Sequence, residues 1–317
     1  MADRSMTNIY ALILFNLFIL ALLALDLGLF NRRPHVPSFR ESALWYAAWL
    51  ALALLFNVGI FFWRGPEPAL QFLTGYILEL SLSMDNVFVF ALIFGYMAVP
   101  LSCQRRVLFW GILGALVMRA LFIGAGVALV ARFEWIFYVF GAFLVFTGLK
   151  LLGERERELH PERNPVVRLA RRLFPVTATY EGASFFVRRS GSLLVTPLLL
   201  VLIMVETTDV LFAVDSIPAV FAITQDPFIV YTSNIFAIVG LRTLYFLLAG
   251  AITKFRYLHP ALAVILVLVG LKMLLAHFYK LPTWLSLAAI CLIFGIAILL
   301  SLLRGKNSGP EGDSGRT

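Results

Sequence analysis

Five acidic residues fall inside apolar stretches long enough to cross a bilayer: Glu79, Asp85, Glu206, Asp209 and Asp215. They form two copies of one pattern. The first is Glu79-x5-Asp85-Asn86-Val87 within ELSLSMDNVFVFA, and the second is Asp209-x5-Asp215-Ser216-Ile217 within DVLFAVDSIPAVFA. A carboxylate at the centre of a bilayer costs about 2.5–3.5 kcal/mol on insertion scales, so five of them call for a compensating cation, proton or arginine. The donors on offer are carboxylates, an amide, hydroxyls and main-chain carbonyls, an all-oxygen set that suits Mg2+, Ca2+ or Mn2+. Neither cysteine and none of the four histidines lies in the motifs, which disfavours Cu(I) and structural zinc. Met84 and Met204 stand beside the acids; a thioether ligand would tilt the site toward Mn2+ over Ca2+, although methionine in an apolar helix is more often packing.

Helical geometry limits how these groups can meet. Glu79 and Asp85 point about 120° apart on an ideal helix, whereas Glu79, Ser83 and Asn86 share one face. Glu206 and Asp209 share a face, and Asp215 points roughly opposite Glu206. One ion could meet all five acids only if the helices unwind locally or some acids stand behind others. Pro218, which crowds the carbonyl of Val214 and removes one helix hydrogen bond, offers a break in the second copy; Ser81–Ser83 is the corresponding place in the first. Arg119 and Arg242, each in the middle of an apolar stretch, are expected to act as salt-bridge partners or gate elements. They could neutralise two acids and would leave three for a cation or a proton.

The elements that must carry these residues are transmembrane helices. The chain has 317 residues, 61% of them hydrophobic and only 14% charged, a composition of a multi-span helical membrane protein. Two cysteines give neither a disulfide framework nor a thiolate metal site. Nine spans are expected, at 8–30, 43–63, 68–97, 107–131, 135–153, 193–222, 228–252, 258–279 and 282–303. The first ends at Asn31-Arg32-Arg33 with no small-residue cleavage site, so it reads as a retained span. Of the 26 Lys and Arg residues, 18 lie in loops on the side of the long central linker, 4 on the opposite side and 4 within spans. That asymmetry places the N-terminus outside and the C-terminus in the cytoplasm, and it makes the net charge of +8 a topology signal rather than a nucleic-acid footprint.

The two halves match beyond the acids. ILGALVMRALFIGAG around Arg119 corresponds to IFAIVGLRTLYFLLA around Arg242, and FTGLKLL (146–152) to LVGLKML (268–274). Spans three to five thus repeat as spans six to eight, and an odd number of crossings per copy makes the repeat inverted. The expected fold is an all-α polytopic membrane protein, organised as two N-terminal helices (1–66), a first three-helix repeat (67–153), a basic linker (154–192), a second repeat (193–280), a last span (281–303) and a Gly/Ser-rich tail (304–317). Within the linker, NPVVRLARRLF reads as a short basic amphipathic stretch suited to an anionic leaflet. Lys150 and Lys272, toward span ends, read as snorkelling residues, and Asn57 and Asn234 as interhelical polar groups.

The segments ELSLSMDNVFVFALIF (79–94), PVTATYEGASFFVRRSG (175–191) and VETTDVLFAVDSIPAVFAITQDPFIVYTSNIFAIVGLRTLYF (205–246) resemble the TerC family, in particular its Alx-type branch. The resemblance implies a role in metal homeostasis, manganese export and, historically, tellurium resistance, with a helical plan similar to the LysE-type exporters. It also implies that Glu79, Asp85, Asn86, Glu206, Asp209 and Asp215 line a Mn2+ pathway. The expectation is therefore a non-enzymatic secondary transporter in a bacterial inner membrane that exports Mn2+ (Ca2+ and Mg2+ being the other candidates). No Walker motif is present, so protons are the expected coupling partner. The lipid bilayer is the other expected partner, and nothing in the sequence fixes the oligomeric state. Rival readings are an exporter of cationic amino acids, a metal-binding scaffold without transport, and an intramembrane aspartyl protease, whose Gly-x-Gly-Asp motif is absent at both Asp85 and Asp215.

Overall fold

The computed structural model describes residues 2–30, 38–133, 135–153, 168, 169, 172, 174–189, 192–248, 257–276, 278 and 282–305. Among these residues nine helices follow one another: α1 (Ala2–Phe30), α2 (Phe39–Arg64), α3 (Pro66–Tyr96), α4 (Leu101–Arg132), α5 (Trp135–Gly153), α6 (Pro197–Phe221), α7 (Pro227–Leu248), α8 (Leu258–Leu275) and α9 (Thr283–Gly305). Each answers to one expected span. Seven of them, α2 to α7 and α9, are long and apolar enough to cross a membrane, while α1 and α8 carry shorter apolar stretches at Tyr10–Leu25 and Pro260–Leu275. The protein is an all-α polytopic membrane protein.

Helix ends follow local chemistry. Ser38 caps α2, its hydroxyl accepting from the Glu41 amide at 3.2 Å. Gly65, at φ +96°, lets the chain turn at once from α2 into α3, and Pro66 then occupies the first helical turn, where its missing N–H has no cost. Asp226 caps α7: its Oδ1 accepts from the Phe228 amide at 2.9 Å, while its Oδ2 accepts from Arg64 at 2.8 Å, tying the end of α2 to the start of α7.

One boundary differs from expectation. The span expected at 193–222 begins instead at Pro197, because Ser192–Val195 forms a strand, β2, paired antiparallel with β1 (Phe186–Arg189). The segment leading into this hairpin is pinned to the α3–α4 turn and the start of α4, with Tyr180 donating to the Met97 carbonyl at 2.7 Å and Cys103 to the Gly182 carbonyl at 3.2 Å. Most of the expected amphipathic stretch of the linker, and the tail beyond Gly305, lie outside the described residues.

α7 is the central post. It is buried on nearly every side, its polar Thr232, Ser233 and Asn234 included, and packs against α2, α3 and α4. Its Phe236 anchors an aromatic cluster with Phe56 (ring centroids 4.9 Å apart), Phe15 (5.5 Å) and Phe72 (6.0 Å), which joins α1, α2 and α3 to it. α6 packs against α3 and α4 beside this post, and α9 packs on α3 and α8.

α5 and α8 form the closest seam. A β-carbon on Gly148 would lie 2.7 Å from the Ala263 carbonyl oxygen and 2.7 Å from Val267, and one on Gly270 would lie 2.7 Å from the Gly141 carbonyl oxygen and 2.9 Å from Val145. Only glycine permits two main chains to come this near. The helices run antiparallel, since partner numbers fall on α8 as they rise on α5. The contacts are also reciprocal: the two glycines of the repeated GLK sequence make matching contacts on each other's helix.

Candidate functional site

The middle of the molecule holds a cation. Arg119, near the centre of α4, is fully buried, with no accessible surface at all. An isolated guanidinium there would be untenable, and its surroundings show how it is compensated. Nη1 donates to Glu79 Oε1 on α3, to Ser216 Oγ on α6 at 2.9 Å and to Asn234 Oδ1 on α7 at 3.2 Å. Nη2 and Nε reach Asp209 Oδ1 and Oδ2 on α6 at 3.4 and 3.5 Å, a fork longer than a tight arginine–carboxylate pair. Four helices thus converge on one side chain, and two of the five acids are joined by it. If both carboxylates are ionised, this group carries a formal charge of −1.

α3 brings a second feature. Glu79, Ser83 and Asn86 line one helix face, all essentially without accessible surface. Glu79 Oε2, Ser83 Oγ and Asn86 Oδ1 make no hydrogen bond among the described residues. Ser81, two positions from Ser83, is different: its hydroxyl donates to the Ile77 carbonyl at 2.8 Å and so serves its own helix. Each buried acceptor without a donor costs about 1–3 kcal/mol, so a row of three marks a place built for something other than packing.

The remaining predicted residues flank this centre. Asp215, half-buried, lines a cavity of about 30 Å3 together with Glu79, Asn86, Arg119 and Ser216. A water needs roughly 10–15 Å3 measured this way, so the space takes one or two waters or one ion. Arg242 lines a smaller neighbouring cavity, of about 10 Å3, with Asp209, Gly111 and Ile238. Glu206 lies farther along, its carboxylate over Gly114 of α4: a β-carbon there would come within 2.0 Å of Oε1 and 2.4 Å of Oε2. The side chain of Asp85 lies outside the described residues. Among the described residues no three Asp, Glu, His or Cys side chains converge as a ready metal cage.

Several points differ from the sequence reading. α3 and α6 are continuous helices through Ser81–Ser83 and Val214–Pro218, so the expected local unwinding is absent and the acids stay distributed. Arg119 by itself takes two acids. Ser216 and Asn234 belong to the site although neither stood among the candidate ion ligands. Ser216 occupies in the second copy the place that Asn86 holds in the first, which is a signal the repeat offered. Asn234 had no such signal; only packing of α7 against α4 brings it to Arg119.

Comparison with known proteins agrees with this architecture. The pattern of the integral membrane protein TerC family matches residues 64–308. An uncharacterized membrane protein of Myxococcus xanthus, STKORF319, is 52% identical over 297 residues, covering 94% of this chain and 93% of its own. The Alx protein of Salmonella typhi, whose name proposes a membrane-bound redox modulator, is 49% identical over 90% of this chain and 92% of its own. Alx of Escherichia coli K12 is 47% identical over 91% and 92%. No solved structure matches the chain. With four helices meeting at a buried arginine–carboxylate centre and a match over most of its length, this chain belongs to the integral membrane protein TerC family.

Proposed function

We propose that this protein is a secondary transporter that exports a divalent cation, Mn2+ before Ca2+ and Mg2+, across a bacterial inner membrane in exchange for protons. The observation that carries the reading is the row of buried, unbonded oxygens on α3, at Glu79, Ser83 and Asn86, of which Glu79 and Asn86 line a cavity with Asp215, while Asp209 joins Glu79 through Arg119. Hard cations take such oxygens, whereas packing alone gives no reason to bury them unpaired. The reciprocal seam of α5 and α8 supports an inverted repeat, in which the acids of α3 and α6 lie near the interface between copies. Export of a dication against an inside-negative potential needs energy, and carboxylates can trade the metal for protons. The excess of Lys and Arg on the linker side supports a cytoplasmic C-terminus.

The cavity as it stands, of about 30 Å3, has room for one or two waters or one ion. The redox role in the name of the Alx relatives finds little support in thiols here: both cysteines are free, Cys103 buried and bonded to a carbonyl, Cys291 exposed on α9. The test is flux in proteoliposomes with Mn2+, Ca2+ and Mg2+, with and without a pH gradient, for wild type, Asp85→Asn and Asp209→Asn. Mn2+ flux that responds to the gradient and disappears in both variants is the expected result. Binding of metal without flux of any cation would replace the transporter by a scaffold.

A further inference from the structure

The position that a transported cation would need is filled by a part of the protein. Glu79 Oε1, both oxygens of Asp209, Ser216 Oγ and Asn234 Oδ1 all accept from Arg119, and this is the kind of oxygen set that a hard cation collects. We propose that Arg119 is a tethered stand-in for the transported ion: its guanidinium holds Glu79 and Asp209 while no ion is bound, and the ion advances by displacing it. The proposal rests on the divalent-cation reading above and adds to it how the empty site is kept neutral.

Three features carry it. First, the guanidinium lines one cavity and joins it to an acid of the other. Glu79 lines one and Asp209 the other, and Arg119 grips both, so a cation passing from the first to the second crosses the arginine's place. Second, Arg119 leaves an approach position open. Glu79 uses only Oε1 for the arginine; Oε2, Ser83 Oγ and Asn86 Oδ1 stay unbonded on the same face, and Asn86 and Asp215 border the same cavity. An ion can land there before anything has moved, and then compete for Oε1. Third, the displaced side chain has an acceptor within its own neighbourhood. Side chains on a helix lean toward its N-terminus, over the preceding turn. On α6, which runs parallel to α4, Glu206 lies in that direction, one turn before Asp209 on the same face and with its carboxylate over Gly114. The long fork to Asp209, at 3.4–3.5 Å, is the contact that yields first.

Competition between arginine and metal has a signature that a structural salt bridge lacks: removing the arginine tightens metal binding. The experiment measures equilibrium binding of radioactive Mn2+ to the purified full chain in detergent, and flux by the same protein in proteoliposomes. Wild type, Arg119→Gln and Arg119→Lys are compared, each checked for a monodisperse fold. Arg119→Gln is expected to bind Mn2+ about tenfold more tightly, the size of an ordinary coupling between two ligands of one site, while its flux falls to background because nothing expels the ion. Arg119→Lys, which keeps the charge but loses the fork that spans Glu79 and Asp209, is expected to tighten binding by a smaller factor. A folded Arg119→Gln that binds Mn2+ no better than wild type overturns the proposal and leaves transport intact. Should Arg119→Gln fail to fold, an unchanged affinity in Arg119→Lys overturns it equally. A wild-type protein that neither binds nor moves any of the three cations removes the transport reading, and this proposal falls with it.

Discussion

The carboxylate of Glu206 occupies the space that a β-carbon on Gly114 would need, with Oε1 at 2.0 Å from that point. The clash is with the far end of a flexible side chain rather than with main chain. Gly114→Ala therefore folds, but it moves the carboxylate. The expected result is Mn2+ flux reduced by about tenfold with thermal stability within about 1 kcal/mol of wild type. Gly124→Ala, where a β-carbon meets nothing within 4 Å, is the control and leaves flux unchanged. Equal flux from both variants would remove Glu206 from the pathway.

The α5–α8 seam answers differently, because main-chain atoms cannot step aside. Gly148→Ala and Gly270→Ala each place a methyl group 2.7 Å from a carbonyl oxygen of the opposite helix. Each is expected to cost about 1–3 kcal/mol, as overpacking does, read as a lower midpoint in thermal unfolding of the detergent-solubilised protein. The double variant is expected to cost less than the sum, since the first methyl has already parted the helices.

Asp226 has two jobs on two oxygens, and substitution separates them. Asp226→Asn keeps an oxygen for the Phe228 amide and loses only the partly buried ion pair with Arg64, a change of about 1 kcal/mol that shrinks in high salt. Asp226→Ala also removes the cap of α7 and costs about 1 kcal/mol more. Thermal unfolding of the two variants in low and high salt measures both parts.

If Mn2+ binds at the α3 face, it stabilises the folded chain by mass action. At a hundredfold excess over Kd the gain is about 2.7 kcal/mol, visible as a raised unfolding temperature. In Asp209→Asn and Asn86→Leu the gain is expected to be largely lost. A full gain in Asn86→Leu would place the ion elsewhere.

What could be read from the sequence was whatever depends on near neighbours along the chain. The nine helices of the described residues were visible because apolar runs are local, although only seven of them are long and apolar enough to cross a membrane, and the shared face of Glu79, Ser83 and Asn86 followed from helical periodicity. The start of α6 was misplaced because Leu193, Leu194 and Val195 are as apolar as a helix; what makes them a strand is pairing with 186–189, which local hydropathy does not register. The grip of Arg119 on Glu79 and Asp209 lies across sequence separations of 40 and 90 residues, and its bond to Asn234 across 115. Spacing within one helix says nothing about such pairs. The sequence reading therefore had the acids and the arginine without knowing which would hold which, and it sought a broken helix where four intact helices meet.

Where Gly148 and Gly270 bring two main chains into contact, the pair of helices becomes a single beam. Long side chains can slide past one another by changing rotamer, but backbone against backbone has no such play. Any rearrangement that opens the centre must then shear the faces lined by long residues and carry α5 and α8 along as one body. Two spectroscopic labels placed across that seam would keep their separation in every state of the protein, giving distance measurements on this molecule an internal zero.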